Sequence, residues 1–213
     1  MKTLFKVIIA LVAVGVLAVL FVRSARNTRS QPFTIARQDL TGWTLTVTSD
    51  GDSFGSLLSL TPKETLLRPL SRELFARMGE SLHYPQAAMP LVLGSEFTRA
   101  MAGVLTPETL LSAARDAGLE SATPQPRCMA QRRISSPGVV QAVFFVVFDV
   151  PAFSKFREQI AQRLGAAGRD PSLFDPMVLS PVLIAADLDG TFSRWMPLRA
   201  DPSVDCFAPV VVQ

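Results

Sequence analysis

Val139-Val140-Gln141-Ala142-Val143-Phe144-Phe145-Val146-Val147-Phe148-Asp149-Val150 is the stretch whose reading decides the fold. Ten of its twelve side chains are apolar, most of them β-branched or aromatic, which suits a strand. An apolar strand without polar alternation is buried on both faces or nearly so, which makes this run the central strand of a sheet. Upstream, Ser135-Ser136-Pro137-Gly138 supplies a turn, and residues 127–134 read as the preceding strand. Downstream, Asp149 and Pro151 start a helix in which Phe153, Phe156, Ile160 and Leu164 form an apolar stripe ending at Gly165.

Farther out, residues 182–186 are expected as a strand, Asp189-Gly190 as a turn and residues 191–196 as its return, with a last strand over residues 206–212. On the N-terminal side Trp43, Leu45 and Val47 alternate with Thr44, Thr46 and Thr48, the period of a half-buried strand. Asp50-Gly51 would turn it into a second strand over 53–60. Leu60-Thr61-Pro62-Lys63-Glu64 predicts a helix start with Thr61 as N-cap, and Leu66, Leu70, Leu74 and Met78 mark its buried face. Pro69 within that helix predicts a kink or two shorter helices. Thr106-Pro107 repeats the start, opening a helix that ends at Gly118, while residues 84–104 show no dominant period. Shared capping chemistry explains the two matching starts more simply than an internal duplication. The order of elements predicts an α+β domain over residues 31–213, a largely antiparallel sheet with helices packed on one face.

Ahead of the domain, residues 7–22 (VIIALVAVGVLAVLFV) carry no charge. As a helix they would reach about 24 Å, and with Leu4, Phe5 and a snorkelling Lys6 about 28 Å, against roughly 30 Å of hydrocarbon. This predicts a single N-terminal transmembrane helix, with a basic linker completing residues 1–30. A secretory signal has the same basic start and apolar core, but Val22-Arg23-Ser24, the best cleavage site, holds an arginine between its small positions. Lys2 and Lys6 on one side and Arg23, Arg26 and Arg29 on the other are expected at lipid headgroups, and they balance, so charge alone sets no orientation. Ala10, Ala13, Gly15 and Ala18 would permit close packing on integral membrane partners.

The formal net charge of +3 is local. The first thirty residues hold five of the 21 bases and none of the 18 acids, leaving sixteen bases against eighteen acids, a net of −2, on the rest. That distribution favours contact with lipid and argues against a nucleic-acid face, which would need basic excess across the domain. Cys128 and Cys206 lack the neighbouring histidines of a zinc site. Paired, they would stabilise the fold by about 4 kcal/mol and place the domain on the periplasmic side of an inner membrane; unpaired, they would be buried thiols.

Two short stretches resemble enzyme motifs. Ala186-Asp187-Leu188-Asp189-Gly190-Thr191-Phe192 resembles the first motif of haloacid-dehalogenase-like phosphatases, which implies Asp187 as nucleophile and Asp189 as general acid, with magnesium, at the end of a parallel strand. That family supplies a Ser/Thr, a Lys and an acidic pair downstream, whereas 21 residues follow Phe192 here and none is lysine. An Asp-Gly hairpin turn explains the same letters. Gly51-Asp52-Ser53-Phe54 resembles the nucleophile block of GDSL-type hydrolases, which implies Ser53 activated by a late histidine; His83 is the only histidine, and Asp201-Pro202-Ser203-Val204 has valine where that base belongs. The chain contains no P-loop, G-x-G-x-x-G or C-x-x-C. The expectation is therefore a non-catalytic, cofactor-free subunit whose helix packs on membrane partners and whose domain braces them. An anchored hydrolase using Asp187/Asp189 or Ser53, or a tethered ligand-binding module, is the alternative.

Overall fold

The computed structural model describes residues 12, 14–22, 24, 28–48, 55–78, 82–84, 88–136, 139–188 and 199–213, with 134–136 and 139–140 described by backbone alone. It divides into two units, Met1–Gln31 and Pro32–Gln213. In the first, residues 12 and 14–22 are helical, and Thr28 Oγ1 donates to the Ser24 carbonyl at 3.0 Å. Among the described residues no helix is long and apolar enough to cross a membrane, so the transmembrane span expected over 7–22 is not seen there. Of the residues expected at its flanks and packing face, Gly15, Ala18 and Arg29 are described, while Lys2, Lys6, Ala10, Ala13, Arg23 and Arg26 lie outside the described residues.

The second unit is an α+β domain. Strands β1 (Phe33–Ile35), β2 (Thr44–Val47), β3 (Ser56–Thr61), β4 (Met89–Leu93), β5 (Gln125–Ser136), β6 (Val139–Asp149), β7 (Val182–Asp187) and β8 (Cys206–Val212) alternate with helices α1 (Glu64–Met78), α2 (Pro107–Asp116) and α3 (Pro151–Ala166). Five strands form a curled mixed sheet in the order β1-β8-β5-β6-β7, parallel at β1/β8 and antiparallel at the other three pairs. The remaining three form a second, antiparallel sheet, β2-β3-β4. One largely antiparallel sheet was the expectation. The difference arises from β1, too short to show a period, and from β4, whose Met89, Leu91 and Val92 are all fully buried and so do not alternate.

β6 is an interior strand, between β5, which holds the middle of the sheet instead of it, and the edge strand β7, and both of its faces are covered. Ala142, Phe144, Val146 and Phe148 enter the main core with α1, α2 and α3. Val143, Phe145 and Val147 enter a smaller core on the opposite face with Cys128, Ala130, Val182 and Ile184. Trp43 is buried edge-on to Phe148 at 5.4 Å, and its indole N–H donates to the Asp39 carbonyl at 2.8 Å. The return strand expected over 191–196 and the turns at 50–51 and 189–190 lie outside the described residues.

The helices show where capping rules hold and where tertiary structure overrides them. Thr106 and Thr109 satisfy one another's backbone N–H groups at 3.2 and 2.8 Å to start α2, and Gly118, at φ +90°, takes the left-handed conformation that stops it. Thr61 does not cap α1. It remains paired with Thr44 in β3, and its hydroxyl meets Thr46 across the strands at 3.2 Å. Pro69 sits inside one continuous fifteen-residue α1 rather than dividing it; its side is exposed, so the missing N–H opens on solvent. α3 runs past Gly165 to Ala166, and the left-handed residue beyond it is Gly168, at φ +75°.

On the buried stripe of α3, beside Phe153, Phe156 and Ile160, lies Arg157, 0% exposed. All five of its N–H donors are used: Nε to the Pro176 carbonyl at 2.8 Å, Nη1 to Leu91 O and Glu96 Oε2, Nη2 to Glu96 Oε1 at 2.7 Å and to Asp175 O. Glu96 in turn accepts from the Leu93 backbone N–H, and the guanidinium lies over the Phe174 ring at 4.6 Å. A carboxylate left in this site without its guanidinium would be a buried unpaired charge. Arg157→Met is therefore expected to cost about 3–5 kcal/mol in urea unfolding, and Arg157→Met with Glu96→Leu to recover part of it. A loss below 1 kcal/mol for the single variant would refute the clamp.

Candidate functional site

One sequence motif, that of Asp187, falls at the edge of the curled sheet, where Ala185 of the same strand lines a cavity. β7 is the edge strand, and its last residue, Asp187, pairs by backbone with His83: His83 N donates to Asp187 O at 2.8 Å and Asp187 N to His83 O at 3.0 Å. Asp187 is 1% exposed, and β7 pairs antiparallel with β6, unlike the parallel strand that the phosphatase resemblance implies. Asp189 and Ser53 lie outside the described residues. His83 is thus brought to Asp187 as a strand partner through its main chain.

Next to this edge, α1 is stitched to β7. Ser71 Oγ donates to the Ala185 carbonyl at 3.3 Å, and Tyr84 Oη donates to the Ser71 carbonyl at 3.3 Å. Burial pushes the Tyr84 phenol above its ordinary value, which keeps it a donor throughout the neutral range. Between these residues and the end of β3 opens a cavity of about 670 Å³. Pro62, Leu67 and Ala185 give it an apolar lining, which Lys63, Arg68 and Arg72 share with one acid, Glu64. Lys63 Nζ donates to the Gln38 carbonyl at 3.2 Å, its stem passing over Gly42, whose φ of +72° needs glycine. Arg68 pairs with Glu64 at 2.5 Å in an exposed position, whereas Arg72 is exposed and makes no hydrogen bond or ion pair among the described residues.

On the opposite face of the sheet Cys128 and Cys206 stand at disulfide distance, their Cα atoms 5.8 Å apart. The pairing is diagonal: Cys206 faces Ala130 across β5/β8, while Cys128 faces Pro209. Beside it Arg132 grips Asp205 with Nε at 3.3 Å and Nη2 at 2.6 Å and also holds the Arg199 carbonyl, so ion pair and cysteine pair close the same strand junction. Sequence reading missed Arg157 and Arg132. For Arg157 a signal existed, since it falls four residues after Phe153 and three before Ile160 on the apolar stripe.

Among the described residues no group of three His, Cys, Asp or Glu side chains is placed to hold a metal ion. Comparison with protein-family models, with curated proteins and with solved structures finds no match.

Cys128 and Cys206 are 78 residues apart, so their bond would remove about 4 kcal/mol of loop-closure entropy from the unfolded chain. Cys128→Ser is expected to lower unfolding stability by that order, and peptide mapping without reduction to recover the 128–206 pair; free thiols in protein from an oxidising compartment would refute the pairing. The turn before β8 gives a pH prediction. Asp201 accepts from the Ser203 hydroxyl at 2.6 Å and the Ser203 backbone N–H at 2.9 Å, and these hydrogen bonds, aided by the charges of Arg199 and Arg132, hold its carboxyl below the usual aspartate value. A lowered folded-state value means that its contribution is complete above the unfolded value near 3.9 and is lost as pH falls through the folded one. NMR titration should place Asp201 below ordinary aspartates and Ser203→Ala should raise it; an unmoved midpoint would show that the serine is not the cause.

Proposed function

We propose that the chain is a non-catalytic accessory subunit of a membrane protein complex, crossing the inner membrane once through residues 4–22 while the domain, on the periplasmic side, caps or braces integral partners. One observation carries this reading. In the described part of the N-terminal helix every large side chain is apolar and more than half exposed, from 51% at Val22 to 76% at Phe21. Val14, Val16, Leu17, Val19, Leu20 and Phe21 point in all directions around the axis. A helix that is apolar on every side is stable when lipid or protein surrounds it. Gly15 has open space where a Cβ would stand, so a neighbouring helix could approach there.

Redox chemistry supports the periplasmic side in this reading. A cysteine pair at disulfide distance persists in an oxidising compartment, which supports the periplasmic face. The phosphatase alternative is disfavoured by the antiparallel setting of Asp187, which is enclosed at the end of β7.

Alkaline carbonate washing of membranes should leave the chain in the pellet, and its intact mass should retain residues 1–31. Gentle detergent extraction should show it migrating with larger partners on native gels. Release into the wash, or a mature chain beginning after Val22, would refute the anchor; wholly monomeric migration would refute the subunit role.

A further inference from the structure

We propose that the cavity between α1 and the β7 edge binds an amphiphile with a phosphate-monoester head and a single apolar chain. The argument concerns the domain alone and does not depend on the membrane anchor. At about 670 Å³ the cavity falls within the usual range of small-molecule sites. Its lining is divided by chemistry. Pro62, Leu67 and Ala185 line it without a donor side chain, suited to an alkyl chain, and three cations, Lys63, Arg68 and Arg72, share the lining.

Charge selects the head. Three bases against Glu64 leave +2 around the opening, which complements the −1.5 to −2 carried by a phosphate monoester near neutral pH. A zwitterionic head brings no net charge to match it. Arg72 is the primary recognition residue, because Lys63 already donates to Gln38 O and Arg68 is paired with Glu64, whereas Arg72 has all five donors to offer. The hydroxyls are committed within the protein, Thr61 to Thr46, Ser71 to Ala185 and Tyr84 to Ser71. With Ser71 and Tyr84 already donating within the protein, the lining's cations are the donors left for the head, and its apolar residues supply the rest of the binding.

The test uses the full chain in nonionic detergent and a diazirine-bearing dodecyl phosphate, with the same chain carrying a phosphocholine head as the comparison. Mass spectrometry should map the phosphate probe to residues 61–72, 84 or 185, with at least fivefold more labelling than from the phosphocholine probe. Arg72→Ala should reduce that labelling at least fivefold, Arg72→Lys should restore part of it, and Lys155→Ala, on the exposed side of α3, should leave it unchanged. Since Arg72 is exposed and unpaired, these variants keep the fold, which circular dichroism verifies. Equal labelling by the two probes, labelling spread over the surface, or indifference to Arg72→Ala would overturn the proposal. Complete competition by an equal concentration of inorganic phosphate would overturn the role of the apolar lining.

Discussion

The domain depends on one buried charge. Arg157 projects from the apolar stripe of α3 into a site where water cannot reach it, and the fold around it is arranged so that each donor finds an oxygen. Those oxygens come from the middle of β4, the short helix at Gly94–Glu96, and the loop at 174–176. The guanidinium thereby fixes a strand, a short helix and an irregular loop to one another. Two more arginines act on the same region: Arg99 Nε donates to Leu173 O at 3.2 Å, and Arg169 Nη2 to Ala102 O at 2.5 Å. Planar, multidentate donors suit this task better than lysine, and the chain holds four lysines among 21 bases.

This clamp also explains which part of the fold resisted sequence reading. Residues 84–104 have no single period because they contain in succession a strand whose first four residues are all buried and a π-helical turn at Phe97–Met101, closed by Ala102 N to Phe97 O at 2.9 Å. The strand is held by its pairing with β3, and the turn, though closed locally, is tied to the 169–173 segment by Arg99 and Arg169. By contrast, β6, α2 and α3 were legible because their determinants are local: a continuous apolar run, a reciprocal Thr106/Thr109 cap with Gly118 after it, and a four-residue apolar stripe. Thr61 is instructive in between. Its sequence context favours capping, but pairing with Thr44 keeps it in the strand.

The candidate site was legible to a lesser degree. Cys128 and Cys206 could be named from composition, but their diagonal relation depends on the register of β5 against β8. Lys63, Arg68 and Arg72 give no motif in the chain, since their convergence on one cavity arises from the four-residue spacing of Arg68 and Arg72 in α1, from Lys63 just ahead of it, and from the nearness of Tyr84 and Ala185, more than a hundred residues apart. The motif-like letters around Asp187 spell a strand end whose surroundings are set by His83 and by the antiparallel direction of β6.

The parallel pairing of β1 with β8 joins the first strand of the domain to its last. Arg37 N donates to Gln213 O at 2.8 Å and Gln213 N to Ile35 O at 3.0 Å, while Arg77 holds the Pro32 carbonyl and covers the Phe33 ring. The two ends of this unit are thus zipped side by side. Mechanically, tension transmitted along the chain from residue 31 meets a short strand flanked by β8, and β8 is tied to β5 through the Cys128–Cys206 junction. Peeling β1 would strip one edge of the sheet and draw Phe33 and Ile35 out of the main core, so the place where the two ends meet is fastened by the core itself.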